Sequence, residues 1–491
     1  MRQAVSADKN QPRTAAALGL TGALIAGAGC AAALMGYQMG GVAACTAGIA
    51  VTATAWRLAS LDWLQLMALT TIAVSSWDAV RVGPVHLVDG LLLFGMPIML
   101  IIGVATGRLP ELPTAVMIAV TVLFLTFIFN EFAPPSPGYM GGRAELAGWT
   151  ANGPDVTAMS NTGALARVLL ALLAIPLLVT AFARDRFDLV KFGRAYCIGA
   201  TINAALALSD SVGVTSVSVT LRGFADVSGR GAALTTHPNQ LALAIALALP
   251  FAVACFNRLW SRLGLVVISL AGIWISGSRA GLLAAATALI LMGLLSRRKM
   301  LTLAAVAMGV LGIIATDILA QTRFSSGLAD ESDYVRGIAA AQAKRDFLES
   351  PITGIGLSVS QQGHNIYLQL LAATGLLGLA AFVALMFWAL RSSWVERADA
   401  TVRAAGVSLL VFLVAGYASN SLLNRYLYVA LGIVSAAVLL KRQQSLYAPS
   451  GREAGNFVAG VPKSELSPIA GRFEQLSPAP STSRSARGVP R

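Results

Sequence analysis

The sequence predicts an all-α protein that crosses a lipid bilayer about 12–14 times. Hydrophobic residues make up 56% of the 491 residues, charged residues make up only 12%, and the mean hydropathy is +0.70. A soluble domain carries about 25% charged residues, so this composition lies outside the soluble class. Apolar runs of about 18 residues, each long enough to cross about 30 Å of hydrocarbon as a helix, recur along almost the whole chain.

About 14 of these apolar runs are candidate membrane spans. Their approximate centres, in chain order, are Ile25, Gly48, Leu69, Met96, Val122, Leu172, Ala204, Leu247, Ser269, Thr287, Gly309, Ala380, Phe412 and Gly432. The runs at Ser269 and Thr287 are short and enclose the polar sequence ISGSRAG, and small and polar residues interrupt the run at Ala204.

The distribution of basic residues predicts how the spans are oriented. With the N-terminus in the cytoplasm, about 25 of the 36 Lys and Arg residues fall on the cytoplasmic side, as the positive-inside rule requires. The net charge of +13 is then explained by topology and by contact with anionic lipid head groups. No nucleic-acid-binding module is recognisable, so we expect no nucleic-acid partner.

Four segments follow from the apolar pattern. Residues 1–13 are a cytoplasmic N-terminus, 14–210 are the N-terminal transmembrane helices, and 211–440 are a second transmembrane region. Residues 441–491 are rich in Ser, Pro, Gly, Arg and Glu and poor in apolar residues, which predicts a disordered, basic cytoplasmic tail.

Long connections lie on the outer side of this topology, and the longest covers residues 320–363. It contains an amphipathic stretch that predicts a helix, which ends at SPITGIG because Pro351 and Gly354 break it. Short cytoplasmic and long outer connections place any functional site on the outside.

Polar residues suited to anion binding or catalysis lie at that same predicted outer face. Arg230 opens RGAALTTHPNQLA, Arg279 lies in GSRAG between two short apolar runs, and His364 and Asn365 begin the apolar run HNIYLQLLAATG. Arginine makes bidentate, permanently charged hydrogen bonds to phosphate, so two arginines at one face can hold a lipid-linked diphosphate. A histidine beside these cations would stay neutral, as a general base requires, and Tyr367 shares its helix face.

Structural explanations compete with each of these assignments. Arg279 alone is compatible with an interfacial anchor, and His364 alone with a polar residue at a helix start. The sequence His237-Pro238-Asn239 also has the form of a helix start. Arg336 and its basic neighbours are typical of a solvated helix face, with substrate contact as the alternative.

The sequence predicts no metal site. The acidic residues on the outer side, Asp226, Asp330, Glu331 and Asp333, are scattered or confined to a loop, although the last three leave a weak ion site open. No cofactor is expected.

Four segments in a fixed order resemble the O-antigen ligase and polymerase superfamily. These are RGAALTTHPNQLA, ISGSRAGLLA, PITGIG and HNIYLQLLAATGLLGL, which together extend over about residues 220–440. One departure is at 231–233, where Gly-Ala-Ala replaces a pattern that more often has glycine as its fourth residue. The departure concerns the detailed shape of this loop and not Arg230.

The resemblance implies a GT-C-like membrane fold with short helices in its large exoplasmic loop. It also implies metal-independent, inverting glycosyl transfer at the outer leaflet of the bacterial cytoplasmic (inner) membrane. The donor would be a saccharide on an undecaprenyl or other polyprenyl diphosphate, and the acceptor a glycan or another lipid-linked chain.

The resemblance also implies roles for individual residues. Arg230 and Arg279 would bind the diphosphate and His364 would be the catalytic base. The supporting residues would be Asn239, Asn365, Tyr367 and Arg336.

A solute or anion transporter is the alternative function for a chain with many spans. Paired broken helices in inverted repeats are not recognisable, and the charged residues gather at one face instead of along a path, which favours the enzyme. Ligase and polymerase activity remain open, with a slight preference for the polymerase because nothing indicates a lipopolysaccharide or protein acceptor.

Overall fold

A computed structural model describes residues 63–82, 85–93, 95–96, 111–132, 161–222, 230–296, 328–356, 365–418, 422 and 424–447. The predicted spans at Ile25, Gly48 and Gly309 lie outside the described residues, as do residues 1–13 and His364. The chain divides into two units, 1–440 and 441–491, and only 441–447 of the second unit are described.

The described part of the chain is helical apart from one short β-hairpin. The helices are α1 (Trp63–Ala73), α2 (Thr114–Phe132), α3 (Asn161–Leu169), α4 (Ile175–Phe182), α5 (Arg186–Ser211), α6 (Val217–Arg222), α7 (Pro238–Cys255), α8 (Leu259–Ser276), α9 (Arg279–Leu295), α10 (Leu328–Glu349), α11 (Ile366–Val395), α12 (Ala400–Ala415) and α13 (Val429–Tyr447). A π-helical turn at Leu170–Ala174 joins α3 to α4. The hairpin strands are β1 (Arg81–Val82) and β2 (Val85–His86), and residues 87–93 are helical.

Five described helices are long and apolar enough to cross a membrane. They are Leu165–Phe182, Pro238–Cys255, Leu259–Ser276, Ile366–Val395 and Arg425–Ser445. Four shorter apolar helices are Gln65–Ser76, Thr114–Asn130, Arg279–Leu295 and Ala400–Ala415. Each of the nine contains one predicted span centre, so the all-α, multi-span prediction is confirmed for this part of the chain.

The predicted span at Ala204 has a different character. It forms α5, a helix of 26 residues that is not among those apolar enough to cross by composition. Its polar side chains Thr201 and Asn203 are buried, and Asn203 Oδ1 accepts a hydrogen bond from Leu234 N at 2.9 Å. The polar residues that lower its hydropathy therefore face protein neighbours.

Contacts between the helices define two ends of the bundle. At one end Cys255, the last residue of α7, lies beside Thr401 at the start of α12, with 3.9 Å between Sγ and Oγ1. At the other end Tyr367 near the start of α11 donates to the carbonyl of Leu413 near the end of α12. Since α12 runs opposite to both α7 and α11, those two helices begin at the same end.

Helix α9 begins at that end as well. A Cβ built on Gly281, in its first turn, would lie 2.3 Å from Cβ of Ala242 in α7. We call the end where α7, α9 and α11 begin the site end, and the other end the basic end. The basic end contains the predicted cytoplasmic sequences RDRFDLVKFGR, NRLWSR and RSSWVER, and Arg186 there pairs with Glu396 at 3.1 Å.

Candidate active site

Arg230 is held at the site end by two helix termini. Its Nε donates to the carbonyl of Ser276, the last residue of α8, and its Nη2 donates to Oδ1 of Asn239, both at 2.7 Å. Asn239 is the second residue of α7. The half-buried guanidinium therefore bridges the end of α8 and the first turn of α7, which fixes its position.

The start of α7 is capped by a histidine. His237 is exposed, has extended backbone angles, and accepts a hydrogen bond from Asn239 N on Nδ1 at 3.1 Å. Pro238 occupies the first helical position, where its missing N–H costs nothing. The segment is thus a helix start, and the same Asn239 orients Arg230.

Arg279 follows the turn that anchors Arg230. Gly277 ends α8 in the left-handed conformation with a φ of 59°, and Ser278 caps α9 by accepting from Gly281 N at 3.1 Å. Arg279 is the first residue of α9 and its side chain is exposed. The turn 276–279 therefore binds one arginine through its backbone and presents the other.

The loop before α7 contains the departure at 231–233, and its third residue has an unusual backbone conformation. Ala233 has a φ of 44°, the only positive φ at a described residue other than glycine. Its N–H donates to Ser218 Oγ at 2.7 Å, and Gly231 N donates to Ile275 O at 3.2 Å. The alanine thus takes the left-handed conformation that glycine adopts without strain.

The start of α11 is built around Asn365. Its Oδ1 accepts from Tyr367 N at 2.9 Å and from Leu368 N at 3.2 Å, which is helix N-capping. The hydroxyl of Tyr367 donates to Leu413 O at 2.6 Å, so this side chain ties α11 to α12. His364 lies outside the described residues and immediately precedes the cap, which is at the site end.

Arg336 lies on α10 with an exposed side chain, and its supporting role stays a prediction. Helix α10 occupies part of the connection predicted at 320–363, and it ends at Glu349, just before the predicted break at Pro351 and Gly354.

A backbone crossing connects α10 to the site and was missed by sequence reasoning. Residues 351–356 meet α11 at 372–377, where the helix is interrupted at Gly375. Four backbone bonds join the segments: Ile355 N to Ala372 O at 2.8 Å, Gly356 N to Ala373 O at 3.1 Å, Leu376 N to Pro351 O at 2.8 Å, and Leu377 N to Ile352 O at 3.2 Å. Groups freed by the interruption are thereby satisfied, as apolar surroundings require.

Asn130 of α2 supports this crossing from a third side. Its Nδ2 lies 3.1 Å from Thr353 O and 3.4 Å from Ala373 O, and its side chain is buried. The crossing therefore fixes residue 356, from which only the segment 357–364 leads to the cap at Asn365.

A cluster of buried ionisable residues beside the start of α7 was also missed. Asp78 Oδ2 accepts from Thr236 Oγ1 at 3.0 Å, directly before His237, and Arg425 makes a bidentate ion pair with Asp89. His86 and Arg167 complete the cluster. Charged residues in apolar surroundings signal function in membrane proteins, and that signal was available in the sequence.

The described residues contain no group of three or more His, Cys, Asp or Glu side chains that could hold a metal ion. Asp226 and the side chains of Asp330, Glu331 and Asp333 lie outside the described part.

Comparison with models of known protein families gives a match to part of the chain. Residues 263–383 match the family model described as O-antigen ligase. The matched region contains Arg279, the crossing and the start of α11, while Arg230, Asn239 and the buried cluster lie outside it. A comparison with curated proteins gave no match.

Proposed function

From the match of residues 263–383 to the O-antigen ligase family model, we propose that this membrane protein transfers a saccharide from an undecaprenyl or other polyprenyl diphosphate to an acceptor at the outer leaflet. The observation that supports this proposal most directly is the turn 276–279. Its Ser276 carbonyl accepts a hydrogen bond from Arg230, and it carries the exposed side chain of Arg279. Two guanidiniums at one turn suit a diphosphate, because each offers a planar fork of donors.

Helix termini add to this electrostatic arrangement. Helices α7 and α9 both begin at the site end, so the positive ends of their dipoles lie there together. An anion leaving from a lipid carrier at this end gains stabilisation without a metal ion. The proposed reaction is therefore metal-independent, and the GT-C-like fold and exoplasmic site are part of the same proposal.

The proposed chemistry is a direct displacement. The acceptor oxygen bonds to the anomeric carbon on the face opposite the carrier, the bond from that carbon to the diphosphate oxygen breaks, and the configuration inverts. The acceptor proton passes to His364, and the arginines neutralise the charge that develops on the leaving diphosphate.

A transporter is not favoured. The family match is to a ligase, and the two arginines gather at one end of the bundle instead of along a path through it. A glycan or a lipid-linked chain is the acceptor class that fits this location, in the cytoplasmic membrane of a bacterium.

Single-turnover transfer by purified protein with a lipid-linked donor tests this function. Replacing Arg230 or Arg279 by Ala should abolish product while the protein still accumulates in the membrane. Lys at either position should restore little activity, because a point charge cannot reproduce the bidentate fork. The matched control is Arg258→Lys, an exposed arginine at the basic end, which should transfer at the wild-type rate. Full activity of Arg279→Lys would reduce Arg279 to an interfacial anchor.

A further inference from the structure

The buried cluster contains two arginines, Arg425 and Arg167, and only Arg425 makes a direct ion pair with a described residue. Arg425 donates from Nε to Asp89 Oδ1 at 2.8 Å and from Nη2 to Oδ2, and both residues are buried. Arg167, by contrast, forms no ion pair within the described part of the chain. Its described hydrogen bond joins Nη2 to Nε2 of His86 at 2.9 Å.

The imidazole that receives this bond is neutral. A guanidinium can only donate, so His86 Nε2 must be the acceptor and the ring proton must lie on Nδ1. Nδ1 lies 2.5 Å from the carbonyl of Asp78, which accepts that proton's hydrogen bond. Burial, followed by the charges of Arg425 and Arg167, lowers the pKa of His86 to about 4, so the ring stays neutral at physiological pH. It therefore positions Arg167 without neutralising it.

A second arginine lies on the same side of the hairpin. Arg81 pairs with His86 in the antiparallel register, so the two side chains project from the same face. Arg81 is exposed, and its charge is close enough to act on Arg167.

The position of Arg167 places it at the site end. It is near the start of the span Leu165–Phe182, whose far end leads into α5 at the basic end. The charges of Asp89 and Asp78 stabilise the positive charge of Arg167, whereas that of Arg81 opposes it. Within the described part of the chain, the cluster nevertheless holds three guanidiniums, Arg81, Arg167 and Arg425, against two carboxylates, and an anion bound there would offset the excess positive charge.

We propose that Arg167 and Arg81 form a second anion subsite, which binds the phosphate group of a lipid and is separate from Arg230 and Arg279. Two hydrogen bonds orient the guanidinium of Arg167: its Nη2 donates to His86 Nε2, and His86 Nδ1 donates to the carbonyl of Asp78. Arg81 supplies a second set of donors. Hydrogen bonds connect the two subsites, because Asp78 also accepts from Thr236 just before the start of α7.

The ligand source is either a second polyprenyl-linked chain or a phospholipid head group. If the ligand is a second polyprenyl-linked chain, the subsite holds the acceptor, and the enzyme joins two lipid-linked saccharides, as a polymerase does. That identification rests on the proposed function, whereas the subsite itself does not.

Native mass spectrometry of the full-length protein in detergent, with farnesyl diphosphate as the probe, tests the subsite without turnover. The wild type should bind two copies. Arg167→Gln and Arg230→Gln should each remove one copy, and the double variant should bind none. Arg258→Gln at the basic end is the matched control and should retain both copies.

Two milder variants test the same subsite in case Arg167→Gln does not fold. Arg81→Gln changes an exposed residue and should weaken one copy about tenfold, since it removes one of the two charged donor groups from the subsite. Arg167→Lys should weaken the same copy while leaving the other intact. Two copies with unchanged affinity in Arg167→Gln, or a single Arg230-dependent copy in the wild type, would overturn the subsite and leave the proposed donor site standing.

Added phosphatidylglycerol distinguishes the two ligand sources. Displacement of the Arg167-dependent copy identifies a phospholipid head group, and retention identifies a polyprenyl-linked ligand. Either result supports a phosphate subsite and names what it binds.

Discussion

Gly354 and Gly375 allow two backbone segments to cross in direct contact. A Cβ on Gly354 would lie 2.3 Å from the carbonyl carbon of Ala373, and a Cβ on Gly375 would lie 2.3 Å from that of Ile352. Both glycines also have positive φ, 73° and 62°. Only residues without a side chain fit on both sides of this crossing.

Alanine at either glycine should therefore destabilise the protein strongly. We expect Gly354→Ala or Gly375→Ala to lower the free energy of unfolding by about 3 kcal/mol or more, from the steric overlap and the left-handed backbone together. Thermal unfolding in detergent measures the effect. Gly337→Ala is the control, because Gly337 lies on α10 where a Cβ would meet nothing within 4 Å, and it should be neutral or slightly stabilising. Equal midpoints for all three variants would contradict the crossing.

The strained backbone at Ala233 gives a second comparison. Glycine relieves the left-handed penalty of about 1–2 kcal/mol there, which offsets the lost methyl group and the larger entropy of the unfolded chain. Ala232, equally buried but without a positive φ, offers no such relief. We expect Ala233→Gly to cost at least about 1 kcal/mol less than Ala232→Gly in thermal unfolding. Equal costs would mean that position 233 is unstrained.

His86 and Asp78 should give opposing pH dependences. Burial raises the pKa of Asp78 to about 6, while burial and nearby cations lower that of His86 to about 4. Between pH 6 and 4, acidification protonates His86 only in the unfolded chain, which destabilises the protein, and Asp78 only in the folded one, which stabilises it. Their effects oppose each other, so the pair should leave stability nearly level.

Replacing either His86 or Asp78 should reveal the pH dependence of stability that the other residue causes. His86→Gln keeps an acceptor for Arg167 and a donor for Asp78 O, and should raise the unfolding temperature at pH 4.5, relative to pH 7 and to the wild type, by about 2–4 °C. Asp78→Asn should shift it in the opposite direction. Parallel pH profiles for the wild type and both variants would contradict the assigned protonation states.

Sequence reasoning located what depends on local pattern and missed what depends on distant partners. Apolar length sufficed for the nine helices, and the helix start at His237-Pro238-Asn239 could be read directly. Pro351 and Gly354 indicated a break in α10, but nothing in the sequence connected them to Gly375. The pairing of Asp89 with Arg425 joins residues 336 positions apart, so only the fold brings them together.

The two ends of α5 provide a test of membrane orientation. Phe187 and Ser211 are both exposed, and the 1.5 Å rise per residue puts them about 36 Å apart along the helix axis. In a background without the four native cysteines, an impermeant thiol reagent added outside should label Ser211→Cys but not Phe187→Cys. A cysteine at Ser325 should behave like Ser211→Cys. The reverse pattern would place the site end in the cytoplasm and overturn the outer-leaflet assignment.

The role of His364 can be separated from that of the cap that follows it. Asn365 holds the first turn of α11 through two backbone N–H groups, so the helix start does not need His364 for its own capping. A general base contributes about 10²–10⁴-fold in rate, so His364→Ala should retain donor binding but transfer slowly in single turnover. Because a protonated imidazole cannot accept the acceptor proton, the wild-type rate should fall on acidification, and this acid limb should be absent from the variant. Asn365→Ala is the control for structure: it should lower the unfolding temperature, which His364→Ala should leave unchanged. Near wild-type transfer by His364→Ala would mean that the base is another residue.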